Sequence, residues 1–569
     1  MAVDQLPAPV RNNPAAAAAT PLRITPTAPA AWETLAWPLE QQTKAWPRGL
    51  VRLVEVAPGA LALFLISTLV WGYIWFPVPL AVSLLIFDAY WLWKSWTIGF
   101  HVVKGVRLMR RFQARDWRGE YAMAVAERRP VLPWDGIRHV VIIPNYKEST
   151  AKLRDTLRVM AETDGAASSV IPVLAMEQAD PDAPEIAAVL YEEFAGKFAD
   201  FLVTHHPAGL PGEVRGKSSN QAWAARAAVE VLVGRRGLNL DLLTVTSCDA
   251  DTLFPRQYFE CLTFMFATDP RRYRRFWQAP IFFYNNIWQV PAPLRVPNAL
   301  SGLIHLSRLS RRRRVLFSQS TYSLSMRMAH DVGYWDVDVI PEDWHMFLKC
   351  FYGLGGKVDV EPMYLPVGND GALSRTTGAT FLNQYLQVRR WAWGAVDIPY
   401  GLREATRRRE IPLLRRYLRF WYVLENHISW STQWFFITLG GLIPWVIGQI
   451  WGARLVPDWF YVNNLVASTS LAGWHPAFLP AWVSTPGWVT LPTLILTPCL
   501  LFYVVLITVD ASLRPPPPPS LRGLGRVSHF LFWLAISPIT FFFSALPALD
   551  SQVRLMLGRR MEYRVTEKV

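Results

Sequence analysis

Apolar residues are distributed along this chain in two ways. Long windows without any Lys, Arg, Asp or Glu lie toward both ends, whereas short apolar runs separated by polar segments lie in the middle. A helix needs about 20 apolar residues to cross a bilayer, so the long windows predict membrane-spanning helices on either side of a soluble central part. The windows are Val56–Phe87, Ser429–Gly452, Trp459–Val509 and Val527–Leu549.

The first window predicts two spans, at 57–76 and 80–100, which are divided by two prolines. The second of these spans contains Asp88 and Lys94. Because charged side chains are costly in lipid, we expect both to face protein, water or the membrane interface. Two spans in the 459–509 window bring the predicted total to six.

Composition and charge support this membrane interpretation. Hydrophobic residues make up 51% of the chain, and the formal net charge is +14. A basic protein can bind nucleic acid, but here the basic residues cluster beside the predicted spans, as in cytoplasmic loops next to anionic lipid. We therefore expect a lipid bilayer as partner, no nucleic acid, and a cytoplasmic central part. The clustered residues are Lys104, Arg107, Arg110, Arg111, Arg115, Arg118, Arg403, Arg407, Arg408, Arg409, Arg415, Arg416 and Arg419.

The central part alternates strand and helix patterns. Its short apolar runs are typical of strands buried on both faces, and the segment 218–233 has the composition of a helix. This alternation predicts an α/β domain with a mostly parallel sheet, in which ligands bind at the carboxyl ends of the strands. The predicted strands are 139–144, 170–176, 200–206 and 240–247.

Two carboxylates follow the last of these strands. Asp249 and Asp251 stand one residue apart in the segment CDAD. Carboxylate oxygens are hard ligands that suit Mg²⁺ or Mn²⁺, and such a metal can stabilise a diphosphate leaving group. The alternative is a plain turn in which the aspartate side chains cap backbone N–H groups.

Two other segments carry residues suited to phosphate and acid–base chemistry. Lys217 stands just before a predicted helix, where a cation and the helix N-terminal amides suit a phosphate; the alternative is a solvated loop lysine. Glu342 and Asp343 stand at the start of an amphipathic segment. One of them can serve as a general base, or both can complement the helix dipole.

A third segment, QYLQVRRWAWG, combines an amide, a guanidinium and an indole. On a helix, Gln387, Arg390 and Trp391 lie on neighbouring positions. This combination suits phosphate binding and sugar stacking. The alternative is an aromatic belt near the membrane.

The order of these motifs resembles that of the membrane-embedded glycosyltransferases of family 2, which include cellulose, hyaluronan and chitin synthases. The resemblance covers 139–394 and rests on PNYKE, a Glu-bearing second strand end, GKSSN, DAD, PED and QVRRW, in that order. The segment YRVTEK at 563–568 also resembles the gating-loop motif of cellulose synthases. The resemblance implies a GT-A fold, a Rossmann-like α/β domain with a mostly parallel sheet, inserted between transmembrane helices.

The resemblance also implies an activity. A family member inverts the anomeric centre as it moves a hexose from a nucleotide sugar, which we expect to be UDP-linked, to a growing polysaccharide, and export of the product is a further expectation. A non-processive glycosyltransferase with a glycan or lipid-linked acceptor is the alternative, and a nucleotide-regulated transporter is a more distant one. The expected location is the bacterial inner membrane, with several spans and a cytoplasmic catalytic domain.

Roles for individual residues follow from the resemblance. It implies that Asp343 is the catalytic base, that Asp249 and Asp251 hold Mg²⁺ or Mn²⁺, and that Glu342 and Trp391 border the acceptor. The implied donor-binding residues are Pro144, Tyr146, Glu148, Glu177, Lys217, Asp249, Gln387 and Arg390.

Three positions depart from the family's pattern. Glu177 stands where the family has Asp, Lys147 where it has Asn, and Pro341 where it has Thr. The first two lie next to the expected nucleotide pocket, so the identity of the nucleotide stays open.

The predicted organisation has six parts. They are a disordered Ala/Pro-rich N-terminus at 1–47, two transmembrane helices with a basic juxtamembrane segment at 48–118, a cytoplasmic GT-A domain at 119–400, basic amphipathic interfacial helices at 401–428, three to four transmembrane helices at 429–549, and a cytoplasmic tail with the VTEK motif at 550–569.

Overall fold

A seven-stranded sheet forms the centre of the protein. The computed structural model describes residues 46–311, 315–440, 442–443, 446, 498–519, 530–561 and 566. The predicted disordered segment up to residue 45, most of the 459–509 window and the tail motif apart from Thr566 lie outside the described residues.

The central sheet has the strand order β3-β2-β1-β4-β7-β5-β8, and β6 pairs with β9 in a separate two-stranded sheet. The strands are β1 Arg138–Asn145, β2 Val170–Glu177, β3 Leu202–His206, β4 Leu243–Ser247, β5 Arg275–Gln278, β6 Ile281–Phe282, β7 Tyr322–Ser325, β8 Asp359–Pro362 and β9 Val367–Gly368. Strands β1 to β4 pair in parallel, whereas β7 runs antiparallel to both β4 and β5. The prediction of a mostly parallel α/β sheet is therefore confirmed.

Helices cover both faces of this sheet and extend from it. They are α1 Arg48–Trp75, α2 Pro77–Gln113, α3 Trp117–Ala126, α4 Thr150–Ala161, α5 Ala166–Ser169, α6 Ala183–Phe194, α7 Lys217–Val229, α8 Tyr258–Thr268, α9 Ala292–Leu309, α10 Met326–Asp331, α11 Glu342–Gly353, α12 Thr377–Ala392, α13 Asp397–Arg407, α14 Leu413–Leu439, α15 Cys499–Leu513, α16 Ile536–Thr540 and α17 Leu546–Met556.

Alternate residues of β1 divide the core between the two faces. Val140 and Ile142 belong to the hydrophobic cluster that contains the alanine-rich helix α7. Val141 and Ile143 point to the opposite cluster, where α4, α6 and α8 pack. Because both faces of the strand are buried, its sequence is a continuous apolar run rather than an alternating one.

The membrane predictions are tested only in part. Among the described residues, one helix, α1, is long and apolar enough to cross a membrane, and a shorter apolar helix lies at Leu501–Leu513. The predicted second span lies inside α2, which continues through the basic segment to Gln113. Helix α14 runs without interruption across the predicted boundary between 428 and 429. The count of six spans stays a prediction.

A close helix crossing joins α2 to the soluble domain. A Cβ atom built on Gly105 of α2 lies 2.6 Å from Cγ of Leu306 and 2.6 Å from Oγ of Ser310, both at the C-terminal end of α9. One position earlier, Lys104 Nζ donates a hydrogen bond of 2.9 Å to the Ser310 carbonyl. The two helices approach this closely because Gly105 has no side chain.

Substituting Gly105→Ala tests this crossing. The added methyl group overpacks the contact, which we expect to cost about 1–3 kcal/mol, although alanine is the better helix former. The expected result is a lower thermal unfolding midpoint of the full-length protein in detergent. The matched control is Gly378→Ala in α12, where a Cβ meets nothing within 4 Å. An equal midpoint for the two variants would contradict the close crossing.

Candidate active site

One cavity at the carboxyl ends of β1, β2 and β4 collects the candidate residues. Its volume is about 570 Å³. Helices α7, α11 and α12 contribute the remaining walls at this end, as expected for a parallel sheet whose loops form the binding crevice. The predicted site residues that line it are Pro144, Tyr146, Glu148, Glu177, Lys217, Asp249, Asp251, Glu342, Asp343, Gln387, Arg390 and Trp391.

A buried ammonium group lies at the centre of this cavity. Lys217 Nζ is 2.7 Å from Asp249 Oδ1 and 2.9 Å from Glu342 Oε1. Burial lowers the pKa of Lys217, but the two carboxylates outweigh burial and raise this pKa well above its usual value. Lys217 is therefore charged. It is also the first residue of α7. The alternative of a solvated loop lysine is wrong.

Ser320 connects these charged groups and was not predicted from the sequence. Its carbonyl accepts a 3.2 Å hydrogen bond from Lys217 Nζ, its hydroxyl donates to Asp249 Oδ2, and its N–H donates to Asp343 Oδ2 at 3.1 Å. Its φ of 48° lies in the left-handed region, which is uncommon for a residue with a Cβ and occurs often at functional sites. The surrounding sequence contains no glycine or motif that marks this conformation.

Asp343 has the environment of a general base. Burial, and next the charge of Glu342, raise the pKa of Asp343 to about 7, although hydrogen bonds from the Ser320 and Trp344 N–H groups oppose the shift. A base with a pKa near the working pH is the most effective one. The prediction that Asp343 lies at a helix start is confirmed, since α11 begins at Glu342.

Glu342 is held from two sides. Its Oε2 accepts a 2.6 Å hydrogen bond from the Tyr322 hydroxyl, which in turn accepts one of 2.7 Å from Trp335 Nε1. Its Oε1 contacts Lys217. These contacts fix the start of α11 beside Asp343, and an acceptor-binding role for Glu342 stays a prediction.

The two aspartates after β4 have different surroundings. The Asp249 side chain is 29% exposed, whereas Asp251 is buried and its Oδ2 accepts a 2.7 Å hydrogen bond from the Asp370 N–H. In the part of the chain that the structure describes, no group of three or more His, Cys, Asp or Glu converges to hold a metal. Two carboxylates on one cavity fit a divalent cation that takes its other oxygen ligands from a bound diphosphate.

A charged histidine contacts Glu177, at the end of β2. His206 Nδ1 is 3.1 Å from Glu177 Oε2, and His206 Nε2 is 2.8 Å from Glu213 Oε2. Burial lowers the pKa of His206, but the hydrogen bonds from both ring nitrogens to the glutamates raise it to about 9. The contact between His206 and Glu213 was not predicted from the sequence, because no known motif has these two residue types at this spacing.

Charged side chains also lie beside the Tyr146 ring, which follows β1. The guanidinium of Arg215 lies 5.1 Å from the centre of the Tyr146 ring. Lys147, the position that departs from the family pattern, has a φ of 62°, and its N–H donates to Asp180 Oδ2 at 2.9 Å. The turn after β1 is therefore fixed by its backbone.

Helix α12 brings its three candidates to the opposite wall. Gln387 is buried, and Trp391 lies 5.8 Å, between ring centres, from Phe283. Arg390 Nη2 donates a 3.3 Å hydrogen bond to Oγ1 of Thr566, a residue of the VTEK segment. The prediction that the three side chains share one helix face is confirmed, and the tail residue Thr566 also lines the cavity.

Two comparisons with known proteins found matches to this chain. A family model described as glycosyl transferase family group 2 matches residues 244–544. No curated protein matches the chain. Among solved structures, the chain is similar to the mannosyltransferase PcManGT from Pyrobaculum calidifontis in complex with GDP-Man and Mn²⁺. The identity is 16% and the TM-score is 0.38, over 74% of this chain and 97% of that chain.

The pH dependence of stability tests the His206 contacts. Because the folded-state pKa of about 9 exceeds the ordinary value of 6.5, His206 contributes stability fully below pH 6.5 and loses it as the pH rises to 9. We expect the free energy of unfolding of the wild type to exceed that of His206→Gln by on the order of 1–3 kcal/mol at pH 6. The difference should be much smaller above pH 9, and denaturant unfolding measures it. His330→Gln, at an exposed position, is the control. A difference that is constant with pH would contradict the assignment.

Proposed function

This chain belongs to glycosyl transferase family group 2, whose model spans just over half of its length, and we propose that it is an inverting hexosyltransferase that extends a polysaccharide at the membrane. The donor is a nucleotide sugar. The observation that carries the proposal is the position of Asp343, a half-buried carboxyl with a pKa of about 7, in the same cavity as Lys217 and Asp249.

The reaction follows from the position of this base. Asp343 takes the proton of an acceptor hydroxyl, and the oxygen attacks the anomeric carbon of the donor sugar. The bond from that carbon to the diphosphate oxygen breaks as the new glycosidic bond forms, so the configuration inverts and a nucleoside diphosphate leaves. A single displacement of this kind needs one base and a stabilised leaving group.

The leaving group is stabilised at the end of β4. Lys217 and the guanidinium of Arg390 supply positive charge close to the carboxylates. A divalent cation, Mg²⁺ or Mn²⁺, held by Asp249 and Asp251 would neutralise the diphosphate further. The base and ribose lie against Pro144, Tyr146, Glu148 and Glu177, and we expect a UDP-linked donor.

The acceptor enters the cavity on the side formed by helices α2, α14 and α15. The same cavity reaches Trp93 of α2, Trp430 of α14 and Phe502 of α15. Aromatic side chains stack on sugar rings, which supports a glycan acceptor that enters or leaves by this route. We propose a multi-pass protein of the bacterial inner membrane with the catalytic domain in the cytoplasm; a single-transfer glycolipid enzyme is the alternative.

Substituting Asp343→Asn tests the base. The amide keeps the shape of the side chain but cannot take a proton, so we expect transfer to fall by about 10²–10⁴-fold while donor affinity changes little. In the wild type, the rate should rise with pH through an apparent pKa near 7. The measurements are sugar transfer and nucleotide binding by the full-length protein in detergent.

Asp155→Asn is the matched control, because its side chain is 68% exposed and lies on the outer face of α4. It should leave both transfer and its pH profile unchanged. Transfer at the wild-type rate by Asp343→Asn would show that another group is the base.

Chelation tests the metal assignment. Removing divalent cations should lower transfer by at least about tenfold, because the diphosphate then leaves without charge neutralisation. Added Mn²⁺ or Mg²⁺ should restore the rate, and Asp251→Asn should raise the metal concentration needed. Full activity in the presence of a chelator would contradict a metal at Asp249 and Asp251.

A further inference from the structure

Basic side chains converge on the end of the cavity that lies away from the strand ends. Lys94 of α2, Arg308 of α9 and Arg311 just after α9 line this end, and we call them the basic subsite. Glu425 Oε1 of α14 lies 3.7 Å from Lys94 Nζ. Arg308 contacts Asn426, the residue after Glu425 on α14, so the Lys94 and Arg308 cations lie against the same stretch of α14.

The basic subsite is held in place by contacts between helices. Arg308 Nη2 donates a 3.0 Å hydrogen bond to Asn426 Oδ1, and the Tyr90 hydroxyl donates one of 3.1 Å to Glu425 Oε1. The Lys94 ammonium also lies 4.8 Å from the centre of the Trp91 ring. Like charges in a partly buried setting repel one another, and a bound anion relieves this repulsion.

The surroundings indicate which anion fits. The same cavity is lined by the apolar residues Trp434, Phe502 and Leu506. The Phe502 ring lies 4.9 Å, between ring centres, from Trp96, two residues after Lys94 on α2. A ligand that fits both parts has a phosphate group, which guanidinium and ammonium groups bind well, and an apolar chain. The nucleotide diphosphate has its own cation in Lys217, at the strand end of the cavity.

We propose that the basic subsite binds the phosphate or diphosphate of a lipid-linked saccharide acceptor, whose sugar hydroxyl reaches Asp343. This inference rests on the proposed function and names the acceptor class for the same site. A phosphate that attacked the donor itself would need no base, since it is already ionised at neutral pH. Because the site contains a base in Asp343, the phosphate anchors the acceptor and the sugar hydroxyl reacts.

Acceptor kinetics test the proposal with the full-length protein in phosphatidylcholine nanodiscs. One acceptor is a saccharide joined to a prenyl chain through a diphosphate, and the other is the same saccharide joined to the same chain through an uncharged ether. We expect the diphosphate-linked acceptor to have a KM lower by roughly tenfold or more, since charge-assisted hydrogen bonds hold it. Lys94→Gln and Arg308→Gln should remove most of this difference without a large change in kcat.

Two control variants separate charge from structure. Lys94→Arg keeps the positive charge and should retain the low KM, whereas Arg107→Gln, at an exposed position of the same helix, should behave as the wild type. An equal KM for the two acceptors would overturn the proposal. So would an activity that depends on added phosphatidylglycerol but not on the diphosphate of the acceptor, since the subsite would then hold a phospholipid headgroup.

Failure of the transferase assignment can be distinguished from failure of the acceptor inference by the release of nucleoside diphosphate. If the wild type released no nucleoside diphosphate from any nucleotide sugar with either acceptor, the transferase assignment itself would fail. If nucleoside diphosphate is released at the same rate with both acceptors, and Lys94→Gln does not change that rate, only the acceptor inference would be overturned.

Discussion

The candidate active site depends on one buried ammonium group shared by two carboxylates. Lys217 joins Asp249, after β4, to Glu342, at the start of α11. Removing this cation would leave the buried Glu342 and the half-buried Asp249 uncompensated, which costs several kcal/mol. The neighbouring residue Asp343 has a different environment: burial, and next the charge of Glu342, raise its pKa to about 7, and the charge of Lys217 opposes this shift only weakly.

The contacts of Lys217 also hold three elements of the cavity together. The start of α7, the end of β4 and the start of α11 are held together by Lys217 and by the backbone and hydroxyl of Ser320. The cavity that begins there continues to α2, α14 and α15. Under the proposed function, a nucleotide sugar bound at the strand ends and an acceptor bound among the helices would both reach Asp343.

The parts of the protein that could be predicted from sequence are those set by local patterns. Strands β1 and β2 are continuous apolar runs because both faces are buried, and the order of the motifs was enough to predict twelve residues that line one cavity. Strand β7 was missed, since it has only four residues and two of them are buried serines, of which Ser323 is paired with Thr246 of β4. The positive φ of Ser320 and the His206–Glu213 contact depend on tertiary neighbours, which no local pattern records.

The most direct test of the central claim is an NMR experiment on the purified full-length protein with a panel of nucleotide sugars and a glycan or lipid-linked acceptor. The experiment follows both the released nucleoside diphosphate and the anomeric configuration of the transferred sugar. If Asp343 assists a single displacement, a donor with an α-linked sugar yields one nucleoside diphosphate for each sugar transferred, and a β-linked product. A product that retains the α configuration, or no turnover of any donor, would contradict a single displacement assisted by Asp343.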